Sequence, residues 1–358
     1  MPPDPYKLLA ERLDALPNGF PPTADGAELR LLAKLFTPEE ALLACQLRLT
    51  PETPTQIAAR VGGDPQQVRK QLKEMARHGL IGLDRAEGGL GYKLLPFVVG
   101  IYEMQVDRID TELARLYEDY FKQSYDRALA VQPQFQRVIP VNETVKAGIE
   151  IHPYESATEI VHNAKAWGVV DCICRKQKAL IGEPCSHPLD VCMVLSSTAG
   201  AFDSNTTVRA LTQQGALATL RRAAEAGLVH SVSNNQRGTW YICNCCTCSC
   251  GILRGIAELG LANAVARSAF VNQVNEELCT ACGDCVDACQ FGAMTVTTAA
   301  QVNEYKCVGC GVCVIACPQE ALELVRRSTD QIQLPPETSD DWLEARAAAR
   351  GISMRPIQ

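Results

Sequence analysis

Eighteen cysteines and only five histidines occur in this chain, and seventeen of the cysteines follow residue 170. The last eight form two runs, Cys279-x2-Cys282-x2-Cys285-x3-Cys289 and Cys307-x2-Cys310-x2-Cys313-x3-Cys317, the second followed by Pro318. Three thiols two residues apart on a tight turn reach three irons on one side of a 4Fe–4S cube. The fourth, on the next helical turn, points toward a neighbouring cube. By that crossing rule Cys279, Cys282, Cys285 and Cys317 hold one cluster, and Cys307, Cys310, Cys313 and Cys289 hold the other. Gly283, Gly309 and Gly311 are small enough for backbone N–H groups to approach cluster sulfurs. Zinc is the competing occupant, but it is ordinarily served by Cys pairs rather than by a triplet plus one.

The other nine thiols of the back half are Cys172, Cys174, Cys185, Cys192, Cys243, Cys245, Cys246, Cys248 and Cys250. They are too many to be explained by packing, so a further metal or iron–sulfur site is expected here. Structural zinc, for instance on Cys172, Cys174, Cys185 and Cys192, is one alternative. One cluster with spare thiols, or two clusters with one thiol left over, are others. The stretch Cys245-Cys246-x-Cys248-x-Cys250 matches no cubane spacing. His152, His162, His187 and His230 could each ligate a metal, but a lone His is more often a hydrogen-bonded structural residue. Cys45, alone in an apolar helical stretch, reads as a small buried hydrophobe.

The elements that position these residues read as a multidomain α+β chain. Of 358 residues 47% are hydrophobic and 21% charged, an ordinary globular composition with a net charge of −7. No apolar run approaches the ~18 residues of a membrane span, and residues 1–20 lack the apolar core of a signal peptide. With so many cysteines, a reducing, cytoplasmic setting with metal chemistry is expected. Residues 1–100 form a winged-helix-like domain: helices at Pro38–Leu49, Thr55–Val61 and Pro65–His78, then a hairpin turning at Gly88-Gly89. Its third helix carries Arg69, Lys70, Lys73 and Arg77 against Glu74. Residues 101–135 read as a connecting long helix, Ile101–Ala130. Residues 136–265 are the central α+β Cys-rich domain, with a helix at Glu155–Ala166, a strand at Trp167–Cys174 and a helix at Thr206–Ala226. In that strand Cys172 and Cys174 share one face, as Cys243 and Cys245 do in theirs. Residues 266–328 are the dicluster domain, and 329–358 a polar tail with a short helix at Asp340–Arg350. No phosphate loop, flavin or nicotinamide site is indicated.

The segment Val271–Arg326 resembles, motif for motif, the bacterial-type dicluster (2[4Fe-4S]) ferredoxin domain. Gln290 departs from it, standing where that family usually has a proline. The resemblance implies two antiparallel halves, each a hairpin plus a short helix, that carry low-potential one-electron centres. Most of the chain is also similar to a group of bacterial and archaeal ferredoxin-like proteins. In these a D-C-x-C-R motif (here Asp171–Arg175) and a C-N-C-C-x-C-x-C-G-x-L-R motif (Cys243–Arg254) precede the dicluster domain. The implied function is relay of single electrons through two 4Fe–4S clusters, as a subunit or donor of an anaerobic oxidoreductase, with one or two further clusters or zinc in the central domain. Residues 270–326 hold Lys306 and Arg326 against seven acids, so the redox partner is expected to offer a basic docking surface. The alternatives are a redox-sensing winged-helix regulator that binds DNA, and an oxidoreductase whose central cluster has an open iron. No catalytic dyad or activated nucleophile is discernible.

Overall fold

The computed structural model describes residues 3–141 and 144–354. The chain divides into two units, Met1–Gln132 with Leu343–Gln358, and Pro133–Trp342.

In the first unit, proline and capping residues fix the helix starts. Pro5–Asp14 (α1) begins after Asp4, and Ala27–Leu35 (α2) after Gly26. Thr37 with Glu40 and Thr53 with Gln56 form reciprocal capping boxes on Pro38–Ala44 (α3) and Pro54–Val61 (α4). Asp64 accepts from the N–H groups of Gln66 and Gln67 at the start of Pro65–Arg77 (α5). The hairpin Gly82–Ala86 (β1) and Gly89–Lys93 (β2) pairs Ala86 with Gly89, so its turn is Glu87-Gly88 rather than Gly88-Gly89. The long helix is shorter than its periodicity suggests: irregular turns occupy 97–105, and Asp110 caps Thr111–Leu129 (α6). The apolar spacing persists because both segments feed one aromatic core, in which Tyr102 stacks on Tyr117 at 3.8 Å and Phe20 lies 4.6 Å from Phe97. α1 and α2 are elements that the sequence reading did not name. Cys45, at the end of α3, is half-buried and donates to the Leu42 carbonyl rather than being sealed in a core.

The second unit is built on a six-stranded antiparallel sheet. In chain order its strands are Gln136–Val138 (β3), Ala166–Val170 (β4), Cys192–Ser196 (β5), Arg209–Leu211 (β6), Val229–Ser233 (β7) and Tyr241–Cys245 (β8), arranged β3-β7-β8-β5-β4-β6. Ile139, Met193, Leu195, Val232 and Ile242 on one face pack against Ala157–Asn163 (α7) and Gln213–Glu225 (α9). By period-2 alternation Cys192, Cys243 and Cys245 lie on the opposite face. Two expectations change here. The helix read as Thr206–Ala226 starts at Gln213, capped by Thr212, because 209–211 pair with β4 as an edge strand. The strand read as Trp167–Cys174 ends at Val170, and Cys172 is the N-cap of Ile173–Leu180 (α8). A second Cys-capped helix is Gly251–Ala257 (α10).

The two cysteine runs sit in repeated units: Phe270–Val274 (β9), Asp284–Ala288 (α11) and Met294–Val296 (β10), then Ala300–Val302 (β11), Val312–Ile315 (α12) and Leu322–Arg326 (β12). The strands pair between the repeats, β9 with β12 and β10 with β11, not as a hairpin within each half. That exchange carries each fourth cysteine across to the other run. The last helix is Ser339–Ala349 (α13).

Candidate metal centres

The eight late cysteines fall into two groups of four. Cys285 feels the charge of Cys282, Cys317 and Cys279, whereas Cys310 and Cys313 feel Cys307 and Cys289. Cys317 thus neighbours the first run and Cys289 the second. Cys279, Cys282, Cys285 and Cys317 line a pocket closed by Val296, Ala300, Ala321 and Leu322. In this group Cys282 is exposed and Cys285 buried, while in the other Cys307 and Cys313 are both buried.

Backbone and side-chain donors aim at the sulfurs. The N–H groups of Ala293, Ala300 and Ala321 donate to Cys289, Cys279 and Cys317 at 3.3, 3.3 and 3.4 Å. Asn272 Nδ2 donates to Cys313 Sγ at 3.0 Å. Gly309 and Gly311 have φ of +70° and +83°, and an added Cβ would come within 2.1 Å of Phe270 O and Thr144 Oγ1 respectively. The loops thus need glycine for space as well as for conformation. Burial pushes the Cys310 thiol up to about 12. Converging thiols that receive N–H donors at their sulfurs, with Cys285, Cys310 and Cys313 held protonated by burial where no cation is near, fit thiolates bound to an iron–sulfur core.

The nine central cysteines divide into six and three. Cys185, Cys246 and Cys248 join His187 in a quartet whose four ligand atoms all lie within 4.8 Å of one another. His187 interacts with Cys246 and Cys185, and Cys248 with both of those thiols. Burial alone would raise the Cys246 thiol, but hydrogen bonding by His187 and Cys248 and the nearby Arg175 guanidinium pull it down to about 6. A tetrahedral ion with metal–sulfur bonds of about 2.3 Å sets its ligand sulfurs about 3.8 Å apart, so the quartet fits one ion such as zinc.

The remaining six form a closed ring. Cys172 interacts with Cys174 and Cys192, Cys192 with Cys243, Cys243 with Cys245, Cys245 with Cys250, and Cys250 with Cys174. The set Cys172, Cys174, Cys185 and Cys192, weighed as a zinc site, is not assembled: Cys185 stands in the quartet instead. His187 correspondingly stands among thiols placed so that the four could hold one metal ion. The sequence names it as a possible ligand but not its grouping, because its three sulfur partners come from segments 2 and about 60 residues away.

Buried polar groups surround the ring. Gln136 Nε2 donates to Cys243 Sγ at 3.5 Å, and Ser231 Oγ lies 3.5 Å from Cys245 Sγ. Arg175, 4% exposed, donates through Nη1 to the Asn244 carbonyl at 3.0 Å. His230 is occupied by Asn244 and not by a metal ligand; burial holds its imidazole neutral, with its pKa lowered to about 4. His152 and His162 neighbour Glu150 and Glu159, away from the thiols.

Gln290 explains its departure from proline. Its Oε1 accepts from the Thr247 N–H at 2.7 Å and its Nε2 donates to the Gly227 carbonyl at 2.5 Å. It thereby ties the residue after Cys289 to the loop between Cys246 and Cys248.

A 4Fe-4S binding domain family model matches residues 272–295 and 300–323. Neither a curated protein nor a solved structure matches the chain. The chain therefore carries an iron–sulfur electron-transfer module of ferredoxin type in its last third, within a larger α+β protein. No helix among the described residues is long and apolar enough to cross a membrane.

Proposed function

We propose that this protein relays single electrons through two 4Fe–4S clusters held by Cys279, Cys282, Cys285 and Cys317 and by Cys289, Cys307, Cys310 and Cys313. The crossed grouping of these thiols, together with the family match over both repeats, is the observation that carries the reading. Bound there, the clusters supply one-electron redox chemistry. The residues do the positioning. Exposed Cys282 marks the end reached by a redox partner, and the acidic surface around it, with Asp284 and Asp287, suits a basic docking face. The buried group adjoins the Cys/His quartet through Gln290 and Thr247, so the quartet metal is the next centre along the chain. A subunit or dedicated donor of an oxidoreductase is the role that fits such a wire. Anaerobic preparation with iron, sulfide and zinc counted per chain tests this. Cys282→Ser should lower iron by up to about four and leave the quartet metal in place; loss of zinc alone would overturn the assignment.

A second reading has its own support. The exposed face of α5 presents Arg69, Lys70, Lys73 and Arg77 beside a hairpin, a winged-helix-like arrangement suited to phosphate contacts. If α5 binds a duplex, log K should fall against log salt with a slope of about −3 to −4, and Lys70→Ala should reduce that slope by about 1. A duplex that fails to bind at low salt leaves this unit as a protein-docking module.

A further inference from the structure

We propose that Cys185, His187, Cys246 and Cys248 hold one zinc ion in a closed tetrahedral site, and that this ion braces the loop to which Gln290 ties the ferredoxin cluster containing Cys289. The ion stands independently of the electron-relay reading; its bracing role rests on that reading and adds to it.

Two loops deliver the ligands in pairs, each pair spaced by one residue. Cys185 and His187 lie between α8 and β5, and Cys246 and Cys248 between β8 and α10. Asn244, on β8, donates through Nδ2 to the Val191 carbonyl at 2.5 Å, which stitches the two loops together. The second loop is closed by the N–H groups of Ser249 and Cys250, which donate to the Cys246 carbonyl at 3.4 and 3.0 Å. Behind it Cys246 is buried with Val191, Ala223 and Leu228, and Cys185 packs against the same cluster. Cys248, at the mouth, is exposed.

The spacing selects a single ion over a cluster. All four ligand atoms lie within 4.8 Å of one another, and Cys248 Sγ is 3.8 Å from His187 Nδ1. Around a tetrahedral zinc, with bonds of about 2.3 Å to sulfur and about 2.0 Å to nitrogen, ligand atoms stand about 3.5–3.8 Å apart. Thiolates terminal on an iron–sulfur cube stand about 6 Å apart, so a cube does not fit between these four. Three sulfurs and one imidazole fill the tetrahedron and leave no open position, as in structural zinc sites. At such ligands zinc also binds more tightly than ferrous iron.

The surroundings match the charge. Zinc with three thiolates and a neutral imidazole is a monoanion. Arg175, 4% exposed, supplies the opposite charge: its Nη1 lies 3.9 Å from Cys246 Sγ and is aligned by the Asn244 carbonyl at 3.0 Å. Among the described residues no carboxylate pairs with it. A buried guanidinium without a carboxylate calls for another anion, which the metal–thiolate set provides. Ser249 Oγ lies 3.5 Å from Cys185 Sγ and 3.9 Å from Cys248 Sγ, so its proton is available to either thiolate.

The brace follows from Thr247, which stands between two of the ligands. An ion that fixes Cys246 and Cys248 fixes the direction of the Thr247 N–H, which donates to Gln290 Oε1 at 2.7 Å. Gln290 in turn holds the Gly227 carbonyl and directly follows Cys289.

The test uses the full chain prepared without oxygen, with zinc and iron counted per chain and X-ray absorption recorded at the zinc edge. Wild type should hold about one zinc, with three sulfurs at about 2.3 Å and one nitrogen at about 2.0 Å. Cys248→Ser should lose the zinc and keep the wild-type iron count, whereas His187→Cys should keep the zinc with four sulfurs around it. Wild type without zinc, a zinc shell without nitrogen, or iron lost from Cys248→Ser in place of zinc each overturns the site. For the brace, release of about four irons to a chelator should quicken about tenfold in Cys248→Ser and in Gln290→Ala alike, about the worth of one hydrogen bond. Release at the wild-type rate from zinc-free Cys248→Ser overturns the bracing role. Failure of the relay reading looks different: the EPR signal of two reduced cubes is then missing from wild type, while its zinc shell is as described.

Discussion

Asn272 offers a way to move one cluster potential without moving stability. The side chain lies on β9, 3% exposed, and donates through Nδ2 to Cys313 Sγ at 3.0 Å, while its Oδ1 has no partner. Asn272→Leu keeps the shape, removes the donor and also removes the stranded oxygen. The lost hydrogen bond costs about 1–2 kcal/mol, and relief of the unsatisfied acceptor returns about 1–3 kcal/mol, so unfolding should change by no more than about 2 kcal/mol. The potential does not enjoy this cancellation. An N–H donor favours the more negative, reduced state, so its loss should lower the midpoint. If about 1 kcal/mol of the bond appears only on reduction, the shift is about 40 mV for one electron, from 59 mV per 1.4 kcal/mol. The assay is a redox titration of the full chain followed by EPR, run beside thermal unfolding. One of the two steps should fall by tens of millivolts, with the other fixed. An upward shift, equal shifts of both, or no shift with the clusters intact refutes the reasoning.

Other perturbations separate positioning from ligation. Gln290→Ala strands the Thr247 N–H and the Gly227 carbonyl and should cost about 2 kcal/mol in denaturant unfolding with both ferredoxin clusters still reducible; an unchanged midpoint would mean that the link is dispensable. Gly309→Ala drives a Cβ to 2.1 Å from the Phe270 carbonyl, whereas Gly283→Ala, at φ +94°, meets nothing within 4 Å. The first should therefore lose about four irons and the second pay only backbone strain of about 1–2 kcal/mol; equal iron contents in the two variants would contradict the crowding. In the first unit Arg346 is fully buried and donates to the carbonyls of Pro17, Val131 and Ala128 at 2.9, 2.6 and 2.5 Å. Arg346→Met should lower the stability of that unit by about 3 kcal/mol or more, read in its own unfolding transition.

The parts legible in the sequence were those written locally. The late cysteines declare themselves because each run folds on its own turn, with only the fourth ligand borrowed from the other repeat. Capping residues such as Thr53 and Asp64 likewise act within three residues of themselves. The central site was not legible in its grouping, because its ligands meet across strand order. Cys192 reaches Cys243 by β5–β8 pairing, and Cys185 reaches Cys248 by a loop return. Parity misled at Cys172 and Cys174, where β4 had already ended and a helix cap set the side-chain directions. A short edge strand at 209–211 hid in what reads as helix, since three residues carry too little periodicity to be seen. Gln290 was visible as a departure, but its reason lay 43 residues away at Thr247.

The most direct measurement of the central claim is reductive titration of the anaerobically prepared full chain with EPR spin counting. The account predicts two one-electron steps from the C-terminal module and a spectrum in which two neighbouring reduced clusters interact, abolished in part by Cys282→Ser and in part by Cys310→Ser. A chain that takes up no electrons, with zinc in place of iron on those eight thiols, would contradict it.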